Sequence, residues 1–138
     1  SPRHETIIVA ALEILGGVSG REFLLEAASK TMGQESLALF QENRAVHLSY
    51  YHTQESRLKK IEMHQDLPIA VTESGKNVLL LPFDIVYGSE EWITKLNGLV
   101  KSKDDWELII TGQMTSQAKN AAESAGFHVF ENYRIDKK

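Results

Sequence analysis

The sequence contains no cysteine. That absence excludes a disulfide scaffold, a cysteine nucleophile and thiolate zinc sites, and it leaves the redox compartment open. Long hydrophobic runs are missing as well. The longest apolar stretch, Thr6 to Leu15, is too short to span a bilayer and is broken by Glu13. No basic flank, apolar run and small-residue cleavage site occur in the order of a secretory signal. There is no internal repeat and no low-complexity tract. Positive charge is not in surplus: 15 Lys and Arg stand against 19 Asp and Glu, a formal charge of −4. The whole surface therefore cannot bind a polyanion, and only a local patch could. The expectation is a protein of the cytoplasm or nucleus with no membrane partner.

What is present suits one domain. The 138 residues are 42% hydrophobic and 25% charged, and a chain of this length buries roughly two thirds of its unfolded surface without a metal staple. The expected domain spans 1–138. Within it, 1–4 read as a cloning remnant or the edge of a cut, 5–33 as a helical part, and 34–138 as a sheet with two crossover helices.

Ile8, Leu12 and Leu15, flanked by Ile7, Ala11 and Ile14, have helical spacing, and Gly16-Gly17 stops that helix. Ser19 is expected to cap a second helix from Gly20 to Met32, with Phe23, Leu24, Ala27 and Ala28 inward and Gly33 at its end. Leu37–Phe40, Ala45–Tyr51 and Arg57–Met63 carry β-rich or alternating patterns and read as a three-strand meander. Ile69–Thr72 and Asn77–Leu81 flank a turn, Glu73-Ser74-Gly75-Lys76, and predict a hairpin. The second of these strands is apolar on both faces, so it should be central. Ser89 caps a helix striped by Trp92, Ile93, Leu96, Leu99 and Val100. Trp106–Ile110 predicts a buried strand, Thr115 or Ser116 starts a helix ending at Gly126, and Phe127–Phe130 returns as a strand. The fold class is α/β: antiparallel strands first, then a parallel β-α-β-α-β half.

Several motifs fail. Ser74-Gly75-Lys76-Asn77 lacks the Walker glycine, which is Ala70, and the hydroxyl after lysine. Gly17-Val18-Ser19-Gly20 has the form of a backbone-clamping GxxG loop, but a helix-stop turn explains it better. His47 and His52 would point to opposite faces of a strand. His64 and Asp66 have no third ligand nearby, so no metal site is expected. Arg57, Lys59 and Lys60, with Arg44 and the aromatic pair Tyr50-Tyr51, could form a basic stripe suited to a nucleic-acid backbone. Charges on an edge strand also prevent unwanted pairing, and that structural account carries more weight.

The segment from Trp106 to Ile135, WELIITGQMTSQAKNAAESAGFHVFENYRI, resembles the C-terminal part of the catalytic domain of Mrr-type restriction endonucleases, members of the PD-(D/E)XK nuclease superfamily. The matching features are Ile109-Ile110-Thr111, Thr115, Ala118, Ala122 and Phe127-His128-Val129-Phe130, with the preceding Glu90–Val100 helix in the family's place. The resemblance implies a restriction-endonuclease-like fold. It also implies Mg²⁺ held by an Asp and a Glu or Gln, with a Lys two residues further along, because a hard cation needs oxygen ligands beside the scissile phosphate. Asp66 falls about where the family's Asp would. The strand that should carry Glu/Gln-x-Lys reads Val78-Leu79-Leu80-Leu81-Pro82 and holds neither, and Glu73 and Lys76 lie in the turn.

The same stretch is similar, more weakly, to BRCT domains. That likeness implies an anion or phosphoserine site at Gly112, Thr115 and Ser116, near Thr111, on a helix N-terminus.

No catalytic residue and no cofactor follow from these readings. The leading expectation is a catalytically silent nuclease-like domain that binds a protein partner inside a larger, nucleic-acid-associated assembly. Tyr50, Tyr51 and Phe130 are the candidate anchors; Arg57, Lys59 and Lys60 are the strip if the partner is nucleic acid. The alternatives are a nuclease using Asp66, Asp84 and Glu90 with Mg²⁺, a BRCT-like phosphopeptide binder, and a purely structural domain.

Overall fold

A five-stranded mixed sheet with helices on both faces organises the chain, in a computed structural model that describes residues 2–29, 35–64, 67–100 and 105–135. The elements run α1 (Pro2–Ile14), α2 (Glu22–Ser29), α3 (Glu35–Gln54), β1 (Leu58–His64), β2 (Leu67–Thr72), β3 (Asn77–Leu81), β4 (Ile85–Val86), α4 (Glu90–Leu99), β5 (Trp106–Ile110), β6 (Gln113–Met114), α5 (Ser116–Ala125) and β7 (Phe127–Phe130). The strand order is β1-β2-β3-β5-β7. The first two pairings are antiparallel, and β3–β5 and β5–β7 are parallel. This is the expected α/β arrangement.

Alternate side chains of the sheet feed two cores. Val78, Leu80 and Ile109 join Ile8, Leu15, Leu24, Ala45 and Leu48 under α1, α2 and α3. Leu79, Leu81, Leu108 and Ile110 join Leu96, Ala118 and Ala122 under α4 and α5. The period-2 alternation of a strand sends neighbours to opposite faces, so β3 is buried from Val78 to Leu81 because both faces are covered. Fully buried alanines at 118 and 122 let α5 lie close on the sheet.

The capping chemistry of the C-terminal half works as the sequence suggests. The Ser89 hydroxyl accepts from the Trp92 amide, and Thr115 accepts from Ala118. Gly126 closes α5 at φ 111°, a left-handed position that favours glycine.

The N-terminal half needs two corrections. Leu37–Phe40 and Ala45–Tyr51 are not strands but parts of α3, a 20-residue helix. Glu42, Arg44, Ala45, Leu48, Ser49, Tyr51 and His52 are all buried, since the helix meets α1, α2 and the sheet together. A helix buried on several sides shows no single apolar stripe, and its β-branched and aromatic residues imitate a strand. The meander therefore reduces to β1, and 34–138 contains a third helix besides the two crossovers.

Ser19 does not cap α2. It forms a bridge with β1, its amide donating to the Lys59 carbonyl at 3.1 Å and its carbonyl accepting from the Ile61 amide at 2.7 Å. Gly20 follows at φ 82°, and a Cβ there would collide with the Ile61 carbonyl. The Gly17–Gly20 turn is thus used to cover the free edge of the sheet. Met32, Gly33 and Asp66 lie outside the described residues, as do the side chains of Ala27 and Ala28.

Candidate binding cleft

Where β3 ends, the chain builds a cleft of about 490 Å³. Its floor is Leu79 and Leu81 of β3 with Leu67 at the start of β2; Trp92, Lys95 and Leu96 of α4 form one wall. Phe40 and Arg44 of α3 close the other side, and the loop from Phe83 to Ser89 forms the rim. Phe40 and Phe83 stack with ring centroids 5.1 Å apart, which pins that loop against α3. Phe83, Ile85 and Tyr87 nonetheless leave 38, 49 and 64% of their surfaces exposed. Large apolar groups clustered at a concave site mark a binding surface more often than singly scattered ones do.

The loop is held from below by backbone. Phe83 and Asp84 carbonyls accept from the amides of Gly112 and Gln113 at 2.8 and 2.9 Å, and the Val86 carbonyl accepts from Thr115. Ile85 and Val86 pair in parallel with Gln113 and Met114, a short two-stranded sheet that the sequence did not announce. Gly112 is required here, because any Cβ would strike the backbone of Asp84.

Arg44 is the one buried cation in the cleft wall. It is 5% exposed, and its guanidinium carbon stands 4.6 Å from the Phe40 ring centroid. Its Nε has no hydrogen-bond partner. Burial lowers its pKa to about 10, so it remains charged at neutral pH.

The residues picked out in the sequence do not assemble at one place. Tyr51 is buried, and its hydroxyl donates to Glu107 Oε2 at 3.1 Å. Burial, and then the Glu107 charge, raise its pKa. Tyr50 packs edge-on against Tyr133, centroids 6.0 Å apart. Neither ring forms a stacking platform beside the bases. Arg44 does not join the basic stripe, because it sits inside on α3 rather than on a strand. Of the stripe itself, Arg57 lies 3.9 Å from Glu73 and Lys60 pairs with Glu62, while Lys59 is exposed. Phe130 is 47% exposed at the end of β7.

At the expected anion site the Gly112 amide is committed to Phe83, and the Thr115 hydroxyl serves the Ala118 amide. Ser116 is exposed. Asp84 and Glu90 are exposed, and no group of three His, Asp or Glu that could hold a metal occurs among the described residues. No helix there is long and apolar enough to cross a membrane.

Phe40, Phe83, Ile85 and Tyr87 went unnoticed in the sequence. The available signal was the apolar alternation Phe83, Ile85, Tyr87 directly after Pro82, which is too short to be a core strand.

Compared with protein-family models, curated proteins and solved structures, the chain matches none.

Proposed function

We propose that this chain is a restriction-endonuclease-like domain without nuclease chemistry, and that it works as a protein-interaction module whose cleft receives an apolar segment of a partner. The observation that carries the reading is the exposure of Phe83, Ile85 and Tyr87 around an apolar cleft of about 490 Å³. Support for the fold comes from the antiparallel β1-β2-β3 arm running into parallel β5 and β7. Support for lost chemistry comes from β3. Two residues spaced like the family's Glu and Lys, and lining the cleft, are Leu79 and Leu81. Leucines offer a cation no oxygen ligand, but they do offer a partner apolar surface.

Nucleic acid is the weaker reading. Arg57 and Lys60 already face Glu73 and Glu62, which reduces the charge available to phosphates.

The test is selection of random displayed peptides on the immobilised full chain. Peptides rich in large apolar residues should be enriched, and Ile85→Asp combined with Tyr87→Asp should abolish their binding with the circular dichroism spectrum unchanged. Failure to enrich any peptide, or binding indifferent to the double substitution, would sink this function.

A further inference from the structure

We propose that Arg44 is a receptor for a carboxylate, so that the segment entering the cleft carries an acidic side chain bracketed by apolar residues. This rests on the cleft being the binding surface and names the chemistry of what fills it.

The argument begins with the cost of the arginine. A guanidinium carries five N–H donors and one full charge, and taking it out of water is expensive unless both are answered. At 5% exposure Arg44 has been taken out of water. Among the described residues no carboxylate forms an ion pair with it, and Nε is an orphan donor. The Phe40 face, 4.6 Å from the guanidinium carbon, answers part of the charge but accepts none of the in-plane hydrogen bonds. A well-packed leucine or methionine would fill the same wall without that penalty. An arginine at a cleft wall, with no carboxylate beside it among the described residues and an unpaired Nε, is suited to receive an anion.

The surroundings select which anion. Leu67, Leu79, Leu81 and Leu96 line the same space, so the ligand must bring apolar surface with its charge. A phosphodiester backbone does not meet that condition, whereas Asp or Glu between large apolar residues does. Arginine's planar fork matches a carboxylate in a bidentate pair. Lys95 on the opposite wall adds a second positive charge against the single carboxylate of Glu91, so the lining carries a net positive charge.

The experiment uses the peptides selected on the full chain. A fixed Asp or Glu flanked by Leu, Ile, Phe or Trp should dominate the enriched pool. Replacing that residue by Asn or Gln in a synthetic peptide should weaken binding about ten-fold or more, and Arg44→Met should weaken the parent peptide by a similar factor. Combining the two changes should cost little beyond either alone, the signature of a direct pair. The acid-to-amide peptide is measured on the unmodified protein, so the answer stands even if Arg44→Met fails to fold. Enriched peptides that need Ile85 and Tyr87 but have no acidic position, or that bind equally well as the amide, would overturn the carboxylate and leave the cleft intact. No enrichment at all would overturn both.

Discussion

The Tyr51 hydroxyl of α3 donates to Glu107 on the interior strand β5, 3.1 Å away, and Lys76 Nζ reaches the other carboxylate oxygen at 3.2 Å. One carboxylate thereby ties a helix, a hairpin turn and the middle of the sheet together. Hydrogen bonds to a charged group that is largely removed from water are worth more than neutral ones. Tyr51→Phe should therefore lower stability by about 1–3 kcal/mol. In urea unfolding its effect should not add to that of Lys76→Met, because both act on Glu107. Strict additivity would show that the three groups do not act as a unit.

The central strands predict a larger effect. Leu79 lies beside Leu108, and Leu81 beside Ile110, in the parallel β3–β5 register. Leu108 is completely buried against the α4–α5 layer. Leu108→Ala should cost roughly 2–5 kcal/mol, and Ala118→Leu about 1–3 kcal/mol through overpacking. A loss below about 1 kcal/mol for Leu108→Ala would mean this core is not the one that holds the fold.

These elements also show where the sequence was readable. From Asn77 to Phe130 the strands are short, apolar and bounded by caps at Ser89, Thr115 and Gly126, so local chemistry and tertiary packing agree. Around α3 they disagree. Val46, Tyr50 and Tyr51 favour a strand by type, but α1, α2 and the sheet enclose them as a helix, and only tertiary contacts decide it. The same misreading hid the cleft, because Arg44 on a strand would face outward with Lys59 and Lys60. Phe83, Ile85 and Tyr87 converge on Phe40 across more than 40 positions of chain, a proximity that no local pattern encodes.

Two histidines contribute to the response to acid. Desolvation lowers the His52 pKa, with Arg57 adding to it and Glu73 opposing; His47 is lowered by desolvation and partly restored by its bond to the Asn43 carbonyl. The Leu58 amide donates to His52 Nδ1 at 2.8 Å, so that nitrogen must be unprotonated in the fold. The unfolded chain takes up these protons near the ordinary value of 6.5 and the folded chain only at lower pH. Their contribution to stability is thus complete above about pH 7 and is lost as pH drops through 6.5 towards the folded values. The urea midpoint should be lower at pH 5.5 than at pH 7.5, and His52→Gln should show a smaller drop. A midpoint that is unchanged or higher at pH 5.5 would contradict the assignment.

The last prediction separates protein from nucleic acid as the partner. Each phosphate contact on duplex DNA contributes a slope of about −0.9 in log affinity against log salt. With Arg57 and Lys60 beside Glu73 and Glu62, Lys59 contributes most of the free charge on β1. Any DNA affinity of this strip should be weak, with a slope of only about one or two contacts. Lys59→Glu with Lys60→Glu should leave peptide binding at the cleft and thermal stability nearly unchanged, because exposed charges contribute little to either. With no acidic residue or lysine from Val78 to Pro82, plasmid DNA should also stay intact in Mg²⁺ or Mn²⁺. Sub-micromolar DNA binding that is steeply salt-dependent and lost in the double lysine variant would move the interface from the cleft to β1. Cleavage would mean that the chain carries a metal site elsewhere, and Asp66→Ala is the first substitution that should then abolish it.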